Sequence, residues 1–462
     1  MSSDAITTIN PASGAELATY PTMSAADVDE VLTSTDRALA GWAATSIDER
    51  AAVLRRAAAI LRDRSSELSA IATAEMGKPI TESVAEVEKC AWVCEYYADT
   101  SPVVLADKEI HASGSRSWVS YEPMGTVLAI MPWNFPFWQV FRFAAPALMA
   151  GNTALLKHSP NVTGTALAIE QVLHQAGLPQ DVFRSLVVAE ADVPETVERI
   201  VGDDRIAAVT LTGSNRAGSH VAAAAGRAAK KTVLELGGSD PFVVLEDADL
   251  DAVVPKAVAG RFLNTGQSCL CAKRFIVHAS LVDEFARRFA DSVDALPLGD
   301  PTDSATRIGP MARADLASNI AAQVEDSVAA GAKVLTGGRP LPERGPAWYA
   351  PTVLVDVDLD MPVMAEETFG PVAAVIPFET DDDAVRIANH TPYGLGASVW
   401  SGSVERALAL GRRIESGALF INATTASDPR LPFGGVKQSG YGRELGEAGA
   451  TEFTNIRTVL LG

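Results

Sequence analysis

Apolar residues recur at helical spacing through most of the first hundred residues. Leu54, Ala58 and Leu61 would share one face of a helix and pack into a core. Ser24 stands directly before an acidic first turn, which is typical of a helix N-cap, because a serine hydroxyl can accept a hydrogen bond from a free N–H group. The pattern predicts that residues 24–100 are largely helical.

From Trp118 onward, short β-rich runs alternate with segments of helical periodicity. This alternation indicates strands joined by crossover helices, hence parallel sheets and an α/β fold. Two series of strands are predicted, one before and one after Cys269. The first has runs at 127–130, 154–156, 209–211 and 242–245, with helices near 137–150, from 162, from 215 and at 250–262; the second has runs at 275–277, 333–335, 372–376 and 418–421.

Composition narrows the possible functions. A chain of 462 residues can form two or three domains, and its 58 acidic against 38 basic side chains give a formal net charge of −20. A surface of that sign repels nucleic acid and anionic membranes. No apolar run approaches the roughly 18 residues needed to cross a bilayer, and Met1-Ser2-Ser3-Asp4-Ala5 lacks the basic start of a secretory signal. We therefore expect a cytoplasmic protein.

The few cysteines and histidines argue against a disulfide framework and a metal site, whereas the segment around one cysteine suits a nucleophile. Four cysteines in a chain of this length cannot form such a framework. The six histidines are scattered, without His-x-x-x-His spacing or clustered cysteines, so no metal site is predicted. Cys269 follows Asn264-Thr265-Gly266-Gln267-Ser268, a small polar loop that suits an exposed, ionisable nucleophile. Glu235 precedes Gly237 and Gly238, which suits a mobile base beside closely approaching backbone.

These two segments together resemble the aldehyde dehydrogenase superfamily, and the resemblance runs from Asn10-Pro11 to the C-terminus. It implies a Rossmann-like dinucleotide-binding domain at 1–106 and 124–236, and an α/β catalytic domain at 237–440. It also implies a small β oligomerisation element at 107–123 and 441–462. The expected assembly is a homodimer or homotetramer.

The usual G-x-G-x-x-G dinucleotide fingerprint is missing from the early strands. Instead Gly213-Ser214-Asn215-Arg216-Ala217-Gly218 lies between a strand and a helix, where the helix N-terminus and the Ser214 hydroxyl could hold a pyrophosphate. A glycine turn that only caps the helix is the alternative. The resemblance favours the first interpretation, since the family's pyrophosphate segment has the Gly-Ser-x-x-x-Gly form of Gly213, Ser214 and Gly218.

Further cofactor residues are carried over by resemblance. Lys157 matches the lysine that contacts the adenine ribose, Glu367 and Phe369 match the pair that positions the nicotinamide, and Trp133 fits the backbone turn that lines the same crevice. NAD-preferring members often carry a glutamate three residues after the lysine, and here that position is Pro160. Without that negative charge a 2′-phosphate is not repelled. The cofactor is expected to be NADP or NAD, with a slight preference for NADP.

The resemblance also implies the chemistry. Asn134 lies in the proline-bracketed turn Met131-Pro132-Trp133-Asn134-Phe135-Pro136, where its amide, with the Cys269 backbone N–H, could stabilise an oxyanion. The Cys269 thiolate would add to an aldehyde, loss of hydride would leave a thioester, and Glu235 would activate the hydrolytic water. Glu235 argues against transfer to coenzyme A, because the acylating branch generally lacks it.

The segments Leu156-Lys157-His158 and Leu234-Glu235-Leu236-Gly237-Gly238-Ser239-Asp240-Pro241 most resemble those of bacterial succinate-semialdehyde dehydrogenases within this family. Arg142 lies eight residues after Asn134, where those enzymes bind the distal carboxylate, and Ser427 could donate to the same group. Phe137 and Trp138 would wall the substrate tunnel. Some members have a second arginine six residues before the nucleophile, but here that residue is Leu263. The alternatives are therefore a broader aldehyde dehydrogenase acting on glutarate semialdehyde or apolar aldehydes, or a non-catalytic binding or structural member.

Cys271, two residues beyond the nucleophile, raises a redox question. Some succinate-semialdehyde dehydrogenases pair cysteines at this spacing, so Cys271 could resolve an oxidised Cys269. A Cys-x-Cys disulfide closes a very small ring, however, and disulfide geometry tolerates little strain. We favour the interpretation that Cys271 packs as a small apolar residue.

Overall fold

The computed structural model describes residues 5–462. Residues 1–4, which carry most of the start expected to lack a secretory signal, lie outside the described part. The helices are α1 Ala25–Ala43, α2 Ile47–Asp63, α3 Ser65–Met76, α4 Ile80–Val104, α5 Trp138–Met149, α6 Thr163–Gln175, α7 Val193–Gly202, α8 Asn215–Arg227, α9 Leu250–Phe262, α10 Val282–Asp294, α11 Ala314–Ala329, α12 Pro362–Ala365, α13 Asp381–Asn389, α14 Val404–Gly411 and α15 Gly446–Glu452.

The helical N-terminal region forms as predicted, with four helices before residue 105. Helix α1 begins with a reciprocal capping box: the Asp27 N–H donates to Ser24 Oγ over 3.2 Å, and the Ser24 N–H donates to Asp27 Oδ2 over 2.8 Å. Leu54, Ala58 and Leu61 are buried on one face of α2, as their spacing indicated. Helix α4 packs against α2 and carries residues that line the cavity described below.

One sheet has six strands in the order β17-β9-β8-β5-β6-β7, parallel except for β17. Chain order runs outward from β5 through β6 to β7 and then returns to the other side of β5 with β8 and β9. Its strands are β5 Thr126–Met131, β6 Thr153–His158, β7 Phe183–Ser185, β8 Ile206–Thr212, β9 Lys231–Glu235 and β17 Gly440–Tyr441.

The second sheet has seven strands in the order β12-β13-β14-β11-β10-β15-β16 and is parallel except for β12. Its central strands are buried on both faces, which explains their continuous apolar runs. They are β10 Asp240–Val244, β11 Ala272–His278, β12 Lys333–Thr336, β13 Thr352–Val355, β14 Val372–Phe378, β15 Gly396–Trp400 and β16 Ala418–Ile421. The two parallel sheets with crossover helices confirm the predicted α/β class.

Two small antiparallel sheets complete the fold. The first pairs β1, Ala5–Ile9, with β2, Glu16–Pro21. The second has the order β18-β4-β3 and joins the C-terminal strand to the hairpin expected near 107–123. Its strands are β3 Lys108–Glu109, β4 Arg116–Pro123 and β18 Thr454–Leu461. Within residues 5–462, no helix is long and apolar enough to span a membrane.

Candidate active site

Open parallel sheets bind ligands where the strand order reverses, at the carboxyl ends of the strands. In the six-stranded sheet that point lies between β5 and β8. The turn with Trp133 and Asn134 follows β5, and Gly213 follows β8. Lys157 lies near the end of β6, and Glu235 ends β9. Residues that were predicted from separate segments of the sequence therefore lie together at the carboxyl ends of the parallel strands.

The segment from Gly213 to Gly218 forms the turn and first residues of α8. Ser214 is the N-cap, and its hydroxyl accepts a hydrogen bond from the Ala217 N–H over 3.3 Å. Among the described residues, an added Cβ at Gly213 would have one atom within 4 Å, Leu211 Cδ2 at 3.6 Å, whereas at Gly218 it would come within 2.6 Å of Leu236. The first glycine thus leaves open space beside a helix N-terminus, which fits a pyrophosphate, and the second allows close packing.

Lys157 is buried, and burial lowers its pKa to about 8, with Glu190 offsetting part of this shift. No described carboxylate forms an ion pair with it. Pro160 begins a short 3-10 turn after β6 and brings no charge to this edge. A buried lysine without an anionic partner fits a ribose or phosphate contact.

The aromatic rings of Trp133, in the turn after β5, and Phe369, in the segment before Val372, are in contact. Their rings meet edge to face, with centroids 5.7 Å apart. Glu367 Oε1 accepts a hydrogen bond from the Gly238 N–H over 3.0 Å and lies 3.5 Å from Lys273 Nζ. Glu367, one of the residues predicted to position the nicotinamide, is therefore beside the glycines that follow Glu235.

The loop before Cys269 has a strained backbone. Asn264 and Thr265 have φ of 53° and 54°, and Gly266 follows with φ of 74°. Successive left-handed residues other than glycine persist only where the surroundings hold them. Here the Asn264 N–H donates to Glu82 Oε2 over 2.6 Å, and its side-chain amide donates to the Asn134 carbonyl over 2.7 Å. The loop is thus fixed directly against the turn that carries Asn134.

Two buried cations, Lys273 and Arg261, also hold the same loop through its backbone carbonyls. Lys273 Nζ donates to the carbonyls of Ser268 and Cys269 over 3.0 and 2.8 Å. Arg261 donates to the carbonyls of Gly266 and Thr368 over 3.3 and 3.0 Å, and also to that of Gly370. The sequence pattern did not single out these two residues, because their partners are backbone carbonyls that any residue supplies.

Cys269 is half-buried and lines a cavity of about 440 Å³. Burial raises the pKa of its thiol to about 12, while Lys273 and Arg142 act in the opposite direction. Glu235 is close enough for its charge to raise the same pKa. The structure therefore brings together the predicted nucleophile, the predicted base and two cations.

Asn134 is buried beside the nucleophile loop. Its Nδ2 donates to the Gln267 carbonyl over 3.1 Å, and its side-chain amide lies 2.9 Å from that of Gln139. His158 steadies the turn: neutral His158 can donate from Nε2 to the Pro136 carbonyl over 2.9 Å. Burial lowers the pKa of His158 to about 4, so the neutral form predominates at neutral pH.

Glu235 is buried, and its two carboxylate oxygens have no hydrogen-bond partner among the described residues. Burial, with the neighbouring Glu444, raises its pKa well above the ordinary range, while Arg142 and Arg443 act to lower it. Arg142 Nε forms an ion pair with Glu444, and both side chains are 3% exposed. Sequence reasoning missed Glu444, which lies beside the base and holds Arg142.

Arg142, Ser427 and Trp138 line the cavity with Cys269, as predicted for substrate residues. Phe137 does not line it: the side chain is fully buried in the core, and Phe135 lines the cavity instead. The difference arises because Phe137 is the N-cap residue of α5, before the first turn at Trp138, and its side chain packs in the hydrophobic core. Leu263, where some family members have arginine, is also at the cavity wall.

A residue that the sequence did not single out also lies in this cavity. Lys89, on α4, donates from Nζ to Ser427 Oγ over 2.7 Å and lies 4.3 Å from the centroid of the Trp138 ring. In the sequence it stands among charged residues of an amphipathic helix, where a solvated lysine is the ordinary expectation.

Cys271 is buried at the wall of the same cavity as Cys269. It is 2% exposed, and its Sγ is 3.8 Å from the Leu263 carbonyl oxygen. Burial raises the pKa of its thiol. The described residues contain no disulfide and no group of three or more side chains arranged to hold a metal. Its role as a redox partner stays a hypothesis.

The sequence model of the aldehyde dehydrogenase family matches residues 1–459. The chain therefore belongs to the aldehyde dehydrogenase family, which confirms the resemblance inferred from Cys269, Glu235 and the segments around them.

The curated relatives that the chain matches include proteins named succinate-semialdehyde dehydrogenases. The chain is 49% identical to a probable succinate-semialdehyde dehydrogenase [NADP(+)] of Synechocystis over 98% of its own length and 99% of the relative. It is 47% identical to a succinate semialdehyde dehydrogenase [NAD(P)+] of Escherichia coli, with 98% and 96% covered. A crystal structure of succinic semialdehyde dehydrogenase from Streptococcus pyogenes in complex with NADP+ matches with a TM-score of 0.95 and 34% identity, covering 99% of each chain.

Proposed function

We propose that the protein oxidises an aldehyde to a carboxylate with NAD(P), and that succinate semialdehyde is its substrate. The observation that carries the proposal is one cavity in which the half-buried Cys269 thiol faces the cations Arg142 and Lys89. A thiol that shares its cavity with cations suits an aldehyde that ends in a carboxylate. The relatives named succinate-semialdehyde dehydrogenases support this choice.

The first step is addition of the Cys269 thiolate to the aldehyde carbon. A C–S bond forms, the carbonyl π electrons move to oxygen, and the resulting alkoxide accepts hydrogen bonds from the Asn134 amide and the Cys269 N–H. The fixed loop and turn place these donors before the reaction begins, so little reorganisation is needed. A bound dinucleotide would supply the hydride acceptor, and loss of hydride from the adduct would leave a thioester on Cys269.

The second step is hydrolysis of the thioester. Glu235 removes a proton from water, the hydroxide adds to the thioester carbon, and collapse of the adduct releases the carboxylate and the Cys269 thiolate. The raised pKa of Glu235 makes its ionised form a strong proton acceptor. Neither carboxylate oxygen has a hydrogen-bond partner among the described residues, so each remains available as an acceptor for water.

For the cofactor we propose NADP in preference to NAD. The uncharged Pro160 and the buried Lys157 support acceptance of a 2′-phosphate, and relatives with NADP in their names support the same choice. The six-stranded sheet with residues 1–106 and 124–236 would then form the dinucleotide domain, and residues 237–440 the catalytic domain.

We also propose that residues 107–123 and 441–462 mediate a homodimer or homotetramer. Ile456, Leu460 and Leu461 on β18 are 62%, 49% and 47% exposed, which supports a subunit contact along this strand. A cytoplasmic location fits a chemistry that requires a reduced Cys269 thiol.

The experiment is a substrate panel read by the absorbance of the reduced nicotinamide, with NAD and NADP in parallel. Succinate semialdehyde with NADP should give the highest kcat/KM, ahead of glutarate semialdehyde and apolar aldehydes. Cys269→Ser should abolish oxidation while dinucleotide binding, measured by calorimetry, stays nearly intact. Turnover retained by Cys269→Ser would refute the mechanism, and a flat panel would refute the substrate but not the chemistry.

A further inference from the structure

Lys89 is a partly buried cation that lacks an anionic partner. Its Nζ has one hydrogen-bond acceptor, Ser427 Oγ at 2.7 Å, and lies against the Trp138 ring. It forms no ion pair with any described carboxylate. Removing a charge from water without a counter-ion is costly, so such a position suits an anion supplied from outside the chain. The cavity beside Cys269 is where that anion would enter.

Arg142, a second cation that lines the cavity, differs from Lys89 because it already has an anionic partner. Its Nε pairs with Glu444, an NH2 group donates to Thr212 Oγ1 over 3.3 Å, and its guanidinium lies 4.5 Å from the centroid of the Phe433 ring. A guanidinium already balanced by a buried carboxylate attracts a second carboxylate less strongly. The unpaired charge of the cavity is therefore that of Lys89.

We propose that Lys89, together with Ser427, binds the carboxylate at the far end of the substrate. The proposal rests on the proposed function, because it requires an aldehyde that carries a carboxylate. The Lys89 ammonium and the Ser427 hydroxyl each supply a donor, and the carboxylate replaces Ser427 Oγ as acceptor for one Nζ–H. The indole N–H of Trp138, which lacks a partner among the described residues, lies in the same wall.

The elements that carry these donors are fixed relative to the reacting centre. One turn before Lys89 on α4, Glu86 Oε1 accepts the N–H groups of Phe137 and Trp138 over 2.8 and 2.9 Å, which ties α4 to the start of α5 and the Asn134 turn. On the opposite side, Thr425 Oγ1 donates to the Leu270 carbonyl over 2.6 Å. Binding the carboxylate would therefore also orient the aldehyde carbon toward Cys269.

The test compares Lys89→Met, which keeps the length and removes the charge, with Lys89→Arg, which keeps the charge. Succinate semialdehyde and butanal, a neutral four-carbon aldehyde, are the two substrates. For Lys89→Met we expect kcat/KM with succinate semialdehyde to fall about 10- to 100-fold, mostly through KM, with butanal little changed. Lys89→Arg should restore most of the loss. Lys256→Met, which removes an exposed lysine of α9, is the matched control and should behave as the wild type.

A second measurement uses pH. Burial, and then Arg142, lower the pKa of Lys89 to about 8, while Cys90, Asp428 and Glu86 act in the opposite direction. Protonated Lys89 binds the carboxylate, so the ratio of kcat/KM for succinate semialdehyde to that for butanal should fall as pH rises through about 8. In Lys89→Arg the ratio should stay level, because a guanidinium keeps its charge.

The outcomes separate this proposal from the proposed function. Equal losses for both substrates in Lys89→Met, or a pH-independent ratio in the wild type, would overturn the role of Lys89. A wild type that oxidises butanal and succinate semialdehyde equally well would instead refute the proposed substrate class. A wild type without Cys269-dependent oxidation would refute the reaction itself.

Discussion

Gly238→Ala tests whether glycine is required at this position because the loop that carries Cys269 packs closely against its backbone. An added Cβ at this position would lie 2.6 Å from the Cys269 carbonyl oxygen, and 3.3 Å from two atoms of Leu395. Ordinary contact begins near 3.4 Å, so the Cys269 carbonyl would have to move by about 0.8 Å. That carbonyl is backbone and is held by Lys273 Nζ at 2.8 Å, so it cannot swing aside as a flexible side chain could.

We expect Gly238→Ala to affect kcat/KM more strongly than it affects the free energy of unfolding. A displacement near 1 Å between reacting groups can lower the rate about 100-fold, and we expect a loss of that order in kcat/KM. Overpacking of this kind costs about 1 to 3 kcal/mol of stability. Gly226→Ala is the control: it lies inside α8, an added Cβ meets nothing within 4 Å, and alanine should stabilise the helix by up to about 1 kcal/mol.

The assay combines steady-state oxidation of succinate semialdehyde with denaturant unfolding of both variants. Gly238→Ala should remain folded but nearly inactive, and Gly226→Ala should match the wild type in kcat/KM. Wild-type kcat in Gly238→Ala would refute the reasoning, because the Cys269 loop would then tolerate the displacement.

Two further predictions concern pH and oxidation. Because burial lowers the His158 pKa from about 6.5 to about 4, the unfolded chain binds a proton that the native state does not. The free energy of unfolding should therefore lose about 3 kcal/mol as pH falls from about 6.5 to about 4. His158→Gln should lack this part of the dependence, and parallel curves would contradict the assignment. Buried Cys271 should not act as a resolving thiol, so recovery from peroxide with a reductant should be equal in wild type and Cys271→Ala; poorer recovery in the variant would support a switch.

Much of the secondary structure could be predicted, because it is encoded locally. Helix α9 spans Leu250–Phe262, the predicted limits, since its apolar periodicity and the acidic residue before it are features of a single segment. The hairpin of Ala5–Ile9 and Glu16–Pro21 was not predicted. Its strands are short and largely exposed, so they lack the apolar alternation that identifies a strand.

The candidate site likewise combines residues that could be predicted from the sequence with contacts that could not. Cys269, Glu235 and Asn134 stand in distinctive local segments, so their type and order could be read from the chain. Contacts between distant residues could not, as the 182-residue separation of Glu82 and Asn264 illustrates.

Lys89 and Glu444 lacked a sequence signal for a related reason. A lysine or glutamate on a helix or in a loop is ordinarily solvated, and only tertiary packing reveals that each lines or borders the cavity. Phe137 was misplaced because the residue at which α5 begins decides which aromatic side chain faces the cavity.

The most direct test of the central claim is the mass of Glu235→Gln after mixing with succinate semialdehyde and NADP. With the base removed, acylation should proceed and hydrolysis should be very slow, giving a burst of reduced cofactor followed by little turnover. Intact-protein mass spectrometry should then show one succinyl group on Cys269, and none in Glu235→Gln combined with Cys269→Ser. A variant that loses the burst and the steady-state rate equally, with no adduct on Cys269, would contradict the thioester mechanism.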